Sequence, residues 1–199
     1  MPSGSIMQKE RLNAFSDGVL AIIITIMVLE LKVPHGEPID ALLKLAPVFL
    51  SYVLSFIYIA IYWNNHHHML HAVTHVSASI LWANMNLLFW LSLVPFVTGW
   101  MGENHFAAAP CALYGAVLLM SGFAYWLLQH AIIAAQGHGS IVKKAIGRDI
   151  KGNSSLVLYT LAIPLAFYWN WAALGIYVLV ALMWLVPDKR IEQVLREKH

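Results

Sequence analysis

Arg11 to Leu31, RLNAFSDGVLAIIITIMVLEL, opens with charge and polarity and then stays apolar for the depth of a lipid bilayer. A helix rises about 1.5 Å per residue, so this run covers most of a hydrocarbon core about 30 Å thick. The rest of the chain agrees. Its 199 residues are 60% hydrophobic and only 11% charged, with mean hydropathy +0.67, which leaves too little polar surface for an ordinary soluble domain. At about 100° per residue, Phe15, Gly18, Ile22, Thr25, Ile26, Leu29 and Val33 share one stripe, with Asp17, Leu20, Ile24, Met27 and Val28 across from it. Spacing alone leaves open whether that stripe is helix-packing surface or the lining of a path. A carboxylate within a span costs at least a few kcal/mol unless protein or water partners it, so Asp17 is expected in a polar network.

Five further apolar runs follow, giving an all-α integral membrane protein of six spans. Pro34, Gly36 and Pro38 break the chain after the first. The second is expected from near Ala41 to about Asn64, and the third from Ala78 to Trp100 with a kink at Pro95. The fourth is expected over Ala107 to Ala135, followed by a basic loop over Lys143 to Lys151. A final hairpin runs over Ser155 to Tyr168 and Trp171 to Val186, turning at Asn170 and ending at Pro187-Asp188. The expected organisation is an N-terminal tail over 1–10, a six-span unit over 11–187 and a C-terminal tail over 188–199. Residues 1–6, MPSGSI, are read as a cloning remnant outside the fold. The first apolar run is too long for a secretory signal, and no A-x-A-like cleavage site follows it.

Six spans put both termini on one side. Of twelve Lys and Arg residues, only Lys32 and Lys44 then fall on the opposite side, which places both termini in the cytoplasm. Trp63, Trp82, Trp100, Trp169, Trp171 and Trp184 lie near span ends, where amphipathic rings favour the headgroup region. The basic loop and tail are explained by topology and give no reason to expect nucleic acid as a partner. The single cysteine, Cys111, excludes an internal disulfide and a cysteine-based metal cage.

Arg11-x-x-x-Phe15-Ser16-Asp17, continued by Gly18-Val-Leu-Ala-Ile22-x-x-Thr25-x-x-Val28-Leu29-Glu30, resembles the signature of the transmembrane protein 175 family, the endosomal and lysosomal potassium channels and their prokaryotic relatives. Trp63-x-x-His66 and the Asn86-Leu-Leu-Phe run resemble its second and third spans. The resemblance implies a homotetramer in a prokaryotic inner membrane, with four first helices around a pore that conducts potassium. It carries no cofactor and no enzyme activity. In such an assembly Ile22, Ile26 and Leu29 would stack as hydrophobic rings and Thr25 would add a ring of hydroxyls. There is no T-V-G-Y-G segment to form a carbonyl filter. The signature animal members carry twice occurs here once.

Arg11, Phe15, Ser16 and Asp17 fall within two turns at the cytoplasmic end of this helix, where Trp63, His66 and Asn86 are the candidate partners of a structural network. Glu30, at the other end, either concentrates cations at the outer mouth or is a solvated interfacial carboxylate. The cluster His66-His67-His68-x-x-His71-x-x-x-His75 supports two rival readings. One is a membrane metalloenzyme with ligands at His67, His71 and His75, one helical turn apart. The remaining histidines supply no second box of ligands, so no metal site is expected. The other is a proton-coupled transporter relaying through Asp17 and His66.

Overall fold

The computed structural model describes residues 3–34, 39–137, 142–143 and 149–185. The C-terminal tail, the Pro187-Asp188 stop, the loop residues Gly36, Glu37 and Pro38, and Lys144 and Arg148 of the basic loop lie outside the described residues. The described elements are all helical: α1 Ser3–Leu29, α2 Ile39–Leu43, α3 Ala46–His71, α4 Ala78–Ser92, α5 Val94–Glu103, α6 Ala108–Gln136, α7 Ile150–Tyr168 and α8 Asn170–Leu185. Among the described residues five segments are long and apolar enough to cross a membrane, with α4 and α5 counted together, and α8 is a shorter apolar helix.

Several boundaries differ from the sequence expectation, each for a local reason. α1 reaches back to Ser3, into the tail and into the residues read as a remnant outside the fold: Met7, Gln8, Lys9 and Glu10 are good helix formers, and the helix continues back through Gly4 despite its low propensity. The second span starts at Ala46 rather than near Ala41. The short α2 stops at a turn over Lys44 and Leu45, and Pro47 occupies the first turn of α3, where its missing N–H is harmless. The other end of α3 overruns Asn64 to reach His71, since Asn64 to His71 contains neither glycine nor proline. Met69 and Leu70 at that end are buried. α7 starts at Ile150, one turn before the expected Ser155, because Asp149 caps it: Oδ1 accepts the Gly152 N–H at 2.9 Å.

The kink expected at Pro95 is present. α4 closes on a tight turn in which the Leu93 N–H donates to the Trp90 carbonyl at 3.2 Å, and α5 restarts with proline in its first turn. The turn after α5 is left-handed at His105 (φ 49°) and Phe106 (φ 60°), unusual for an aromatic residue. Phe106 is held there by a bond from its N–H to the Met101 carbonyl at 3.0 Å and by the Asn170 side-chain amide, which donates to the Phe106 carbonyl at 2.7 Å. Its ring lies 5.6 Å from that of Trp171. The α5–α6 and α7–α8 turns are thereby pinned together.

α6 packs against α4 and α7, α7 against α8, and α3 against α5, while α1 borders α3, α4 and α5. The interior contains a relay of phenols. Tyr159 donates to the Tyr58 hydroxyl at 3.2 Å, Tyr58 to the Tyr177 carbonyl at 2.6 Å, and Tyr177 to the Cys111 carbonyl at 3.0 Å. Each of these three phenols thereby finds an acceptor across a helix interface, as a low-dielectric interior requires. Gly115 makes the α6–α8 approach possible, because a Cβ there would overlap the Tyr177 hydroxyl.

Candidate pore-lining face and its polar support

α1 divides cleanly by exposure. Leu12, Ser16, Leu20, Ile23 and Met27 are buried against the bundle. Phe15, Gly18, Ile22, Thr25, Ile26 and Leu29 are all exposed, as is Val33 beyond the helix end, so the stripe read from the sequence faces outward from the bundle. Ile22 is 58% exposed and Leu29 73%, although Ile and Leu rarely leave so much area uncovered without a partner or lipid. The packed seam is turned relative to the set expected opposite the stripe. Leu20 and Met27 are buried, but Ile24 and Asp17 are half-buried and Val28 is exposed. The seam follows the position of α3, α4 and α5, which helical phase alone does not specify.

The Thr25 hydroxyl donates to the Ala21 carbonyl at 2.8 Å. This bond uses its proton and leaves its oxygen lone pairs available on the exposed face. Glu30 follows α1 in an exposed turn, and its carboxylate lies against Gly99 of α5. Nearby, the Lys32 ammonium donates to Glu103 Oε1 at 2.5 Å, which raises the lysine above the ordinary amine range. Ile22, Ile26, Glu30, Phe96 and Trp100 line a wide groove between α1 and α5.

Behind this face lies a directional chain of hydrogen bonds across three helices. Ser16 donates to the Leu12 carbonyl at 2.9 Å and accepts from Asn84 Nδ2 at 3.0 Å. The Asn84 carbonyl oxygen then faces His66 Nε2 at 2.7 Å. An amide oxygen only accepts, so His66 carries its proton on Nε2. Ser16, His66 and Asn84 are all buried. Beside them, Trp63 Nε1–H donates to Asp17 Oδ1 at 2.9 Å.

Of the residues named from the sequence, the structure joins Ser16 to His66 and Asp17 to Trp63. Arg11 and Phe15 are exposed and stand outside this chain. Asn86 is replaced as the linking amide by Asn84, two residues earlier and on a different face of α4. The sequence did carry a signal for it: Asn84, Leu87, Leu88 and Leu91 repeat at core spacing and are all buried.

The three-histidine ladder of the rival metalloenzyme reading does not form. α3 ends at His71, so His75 leaves the helix. Among the described residues no group of three or more potential ligands could hold a metal ion.

Comparison with known proteins adds three findings. Residues 11–95 match the family described as endosomal/lysosomal potassium channel TMEM175. A potassium channel of Chryseobacterium sp. is 55% identical over 191 residues, covering 96% of this chain and 100% of that protein. The crystal structure of a lysosomal potassium-selective channel TMEM175 homologue from Chamaesiphon minutus superposes with a TM-score of 0.76 at 28% identity, covering 92% of this chain and 98% of the other. These relatives are named as channels, not enzymes, and the metalloenzyme reading of the histidine cluster falls with that.

Proposed function

This chain belongs to the family of the endosomal/lysosomal potassium channel TMEM175, and on that premise we propose that four copies assemble around a central pore lined by α1 to form a potassium-selective leak channel. The observation that carries the reading is the two-sided character of α1. One face is sealed into the bundle, while Ile22, Ile26 and Leu29 stand uncovered with the Thr25 hydroxyl between them. A single copy of such a face encloses nothing, whereas a closed ring of copies buries it and forms a path.

In that ring the three apolar side chains, about one helical turn apart, make a constriction that dewets when narrow and forces ions to shed water. The Thr25 oxygens offer ligands to a partly dehydrated cation. Glu30, at the outer end, raises the local cation concentration. The Ser16–Asn84–His66 chain and the Trp63–Asp17 bond fix the rotation of α1 against α3 and α4, so they position the pore face without lining it. The lysine and arginine distribution supports cytoplasmic termini in a prokaryotic inner membrane. Membrane lipid, sister subunits and permeant potassium are the partners proposed, with no cofactor.

Reconstitution into liposomes tests this reading. Purified protein should carry potassium down its gradient, with sodium much slower under the same driving force. Flux no greater than in protein-free vesicles, or equal for the two ions, would remove it.

A further inference from the structure

α3 does not stop where its apolar run does. It continues to His71, which puts His67 and His71 one turn apart on the same helical face. Their ring centroids lie 4.6 Å apart, with the planes inclined by 59°. An ion bound to one nitrogen of each ring, at the usual 2.0–2.1 Å, needs ring centres about 5 Å apart. The separation is therefore within chelating reach, and rotation about the side-chain torsions turns one nitrogen of each ring toward a shared ion. His67 is half-buried and His71 exposed, so an ion reaches both from solvent.

The neighbouring histidines take no part. His66 is buried and committed to Asn84. His68, with its ring 5.7 Å from that of His67, lies about 100° further round the helix, and the close ring pair is His67 with His71. His75 lies beyond the helix end. Lys9 donates to the His71 carbonyl at 2.8 Å, tying that end of α3 to α1. Its positive charge opposes a cation nearby, which favours an exchangeable site over a permanent one.

We propose that His67 and His71 form a two-imidazole chelate for a late first-row divalent cation, such as Ni²⁺, Cu²⁺ or Zn²⁺, with water completing the coordination. Imidazole nitrogen selects these ions over Mg²⁺ and Ca²⁺, which take oxygen ligands. The site sits beside the pore helix: the His67 ring is 5.8 Å from that of Trp63, which holds Asp17 of α1. It stands apart from any catalytic chemistry and does not depend on the channel reading.

The test is calorimetric titration of NiCl₂ into the purified chain without a polyhistidine tag. One Ni²⁺ should bind per subunit, with CuCl₂ tighter and MgCl₂ giving no binding. His67→Ala and the exposed, conservative His71→Gln should each weaken binding at least about tenfold, because either leaves a single imidazole in place of a chelate. His68→Gln and His75→Gln should bind as wild type. Absence of nickel binding, wild-type affinity in His71→Gln, or equal weakening by His68→Gln or His75→Gln would overturn the assignment.

Discussion

Trp63 and Asp17 meet through one hydrogen bond, indole Nε1–H to carboxylate Oδ1 at 2.9 Å, and that bond ties the second span to the entrance of the first. Asp17 lies on neither the sealed face nor the exposed stripe of α1, but at the edge between them. Asp17→Ala removes the acceptor of an exposed indole N–H, a loss of about 1 kcal/mol. It should lower the thermal stability of the assembly in detergent while leaving the ratio of potassium to sodium flux close to wild type. Trp63→Phe should lower stability in the same direction. Normal assembly with raised sodium flux in Asp17→Ala would move Asp17 into the permeation path.

Asn84 spends both ends of its amide, one on Ser16 and one on His66. Asn84→Leu leaves a buried hydroxyl without its donor and a buried imidazole N–H without an acceptor, so it should cost about 1–3 kcal/mol. Asn86→Leu, on another face of α4, should stay within about 0.5 kcal/mol. Denaturant or thermal unfolding of the two variants in the same detergent distinguishes them, and a larger loss for Asn86→Leu would displace Asn84 from this role.

Gly115→Ala should destabilise the fold even though alanine favours a helix by about 1 kcal/mol. The added methyl overlaps the Tyr177 hydroxyl and forces α8 away from α6, an overpacking cost of about 1–3 kcal/mol. Removing the hydroxyl in Gly115→Ala/Tyr177→Phe should return part of that loss, giving less than the sum of the two single effects. Additive losses in thermal unfolding would mean that the two groups do not meet.

Asn170→Ala unfastens the α7–α8 turn from Phe106, whose left-handed backbone depends on its surroundings to persist. A loss of about 1–2 kcal/mol is expected from the missing bond. Proteolysis should cut more readily near residue 106 in this variant, and unchanged cleavage there would argue against the tie.

The sequence shows where membrane burial begins and ends more clearly than where helices do. The six apolar runs and the kink at Pro95 were legible, because hydropathy and the missing proline N–H act locally. The run from Asn64 to His71 stays helical after its composition turns polar, since it holds no glycine or proline and His66, Met69 and Leu70 still bury against the bundle. The stripe of α1 was legible from its 3.6-residue period, but spacing alone left open whether it packs inward or faces outward. Its exact seam was not legible, because that depends on where α3, α4 and α5 press. The same limit explains Asn84 and Asn86: two asparagines about 200° apart on one helix offer the same chemistry, and only the rotation of α4 decides which meets Ser16.

The most direct test of an α1-lined pore is the reversal potential of Ile22→Asn under opposed potassium and sodium gradients, with Ile24→Asn beside it. In the proposed pore an isoleucine ring would make ions shed water without offering ligands, and sodium holds its hydration more tightly than potassium. Amide oxygens at Ile22 wet the constriction and compensate both ions. The account predicts higher conductance and a reversal potential shifted toward equal permeability for Ile22→Asn, with no such change for the half-buried Ile24→Asn. Unchanged conductance and selectivity in Ile22→Asn, with both altered in Ile24→Asn, would turn the helix the other way and contradict it.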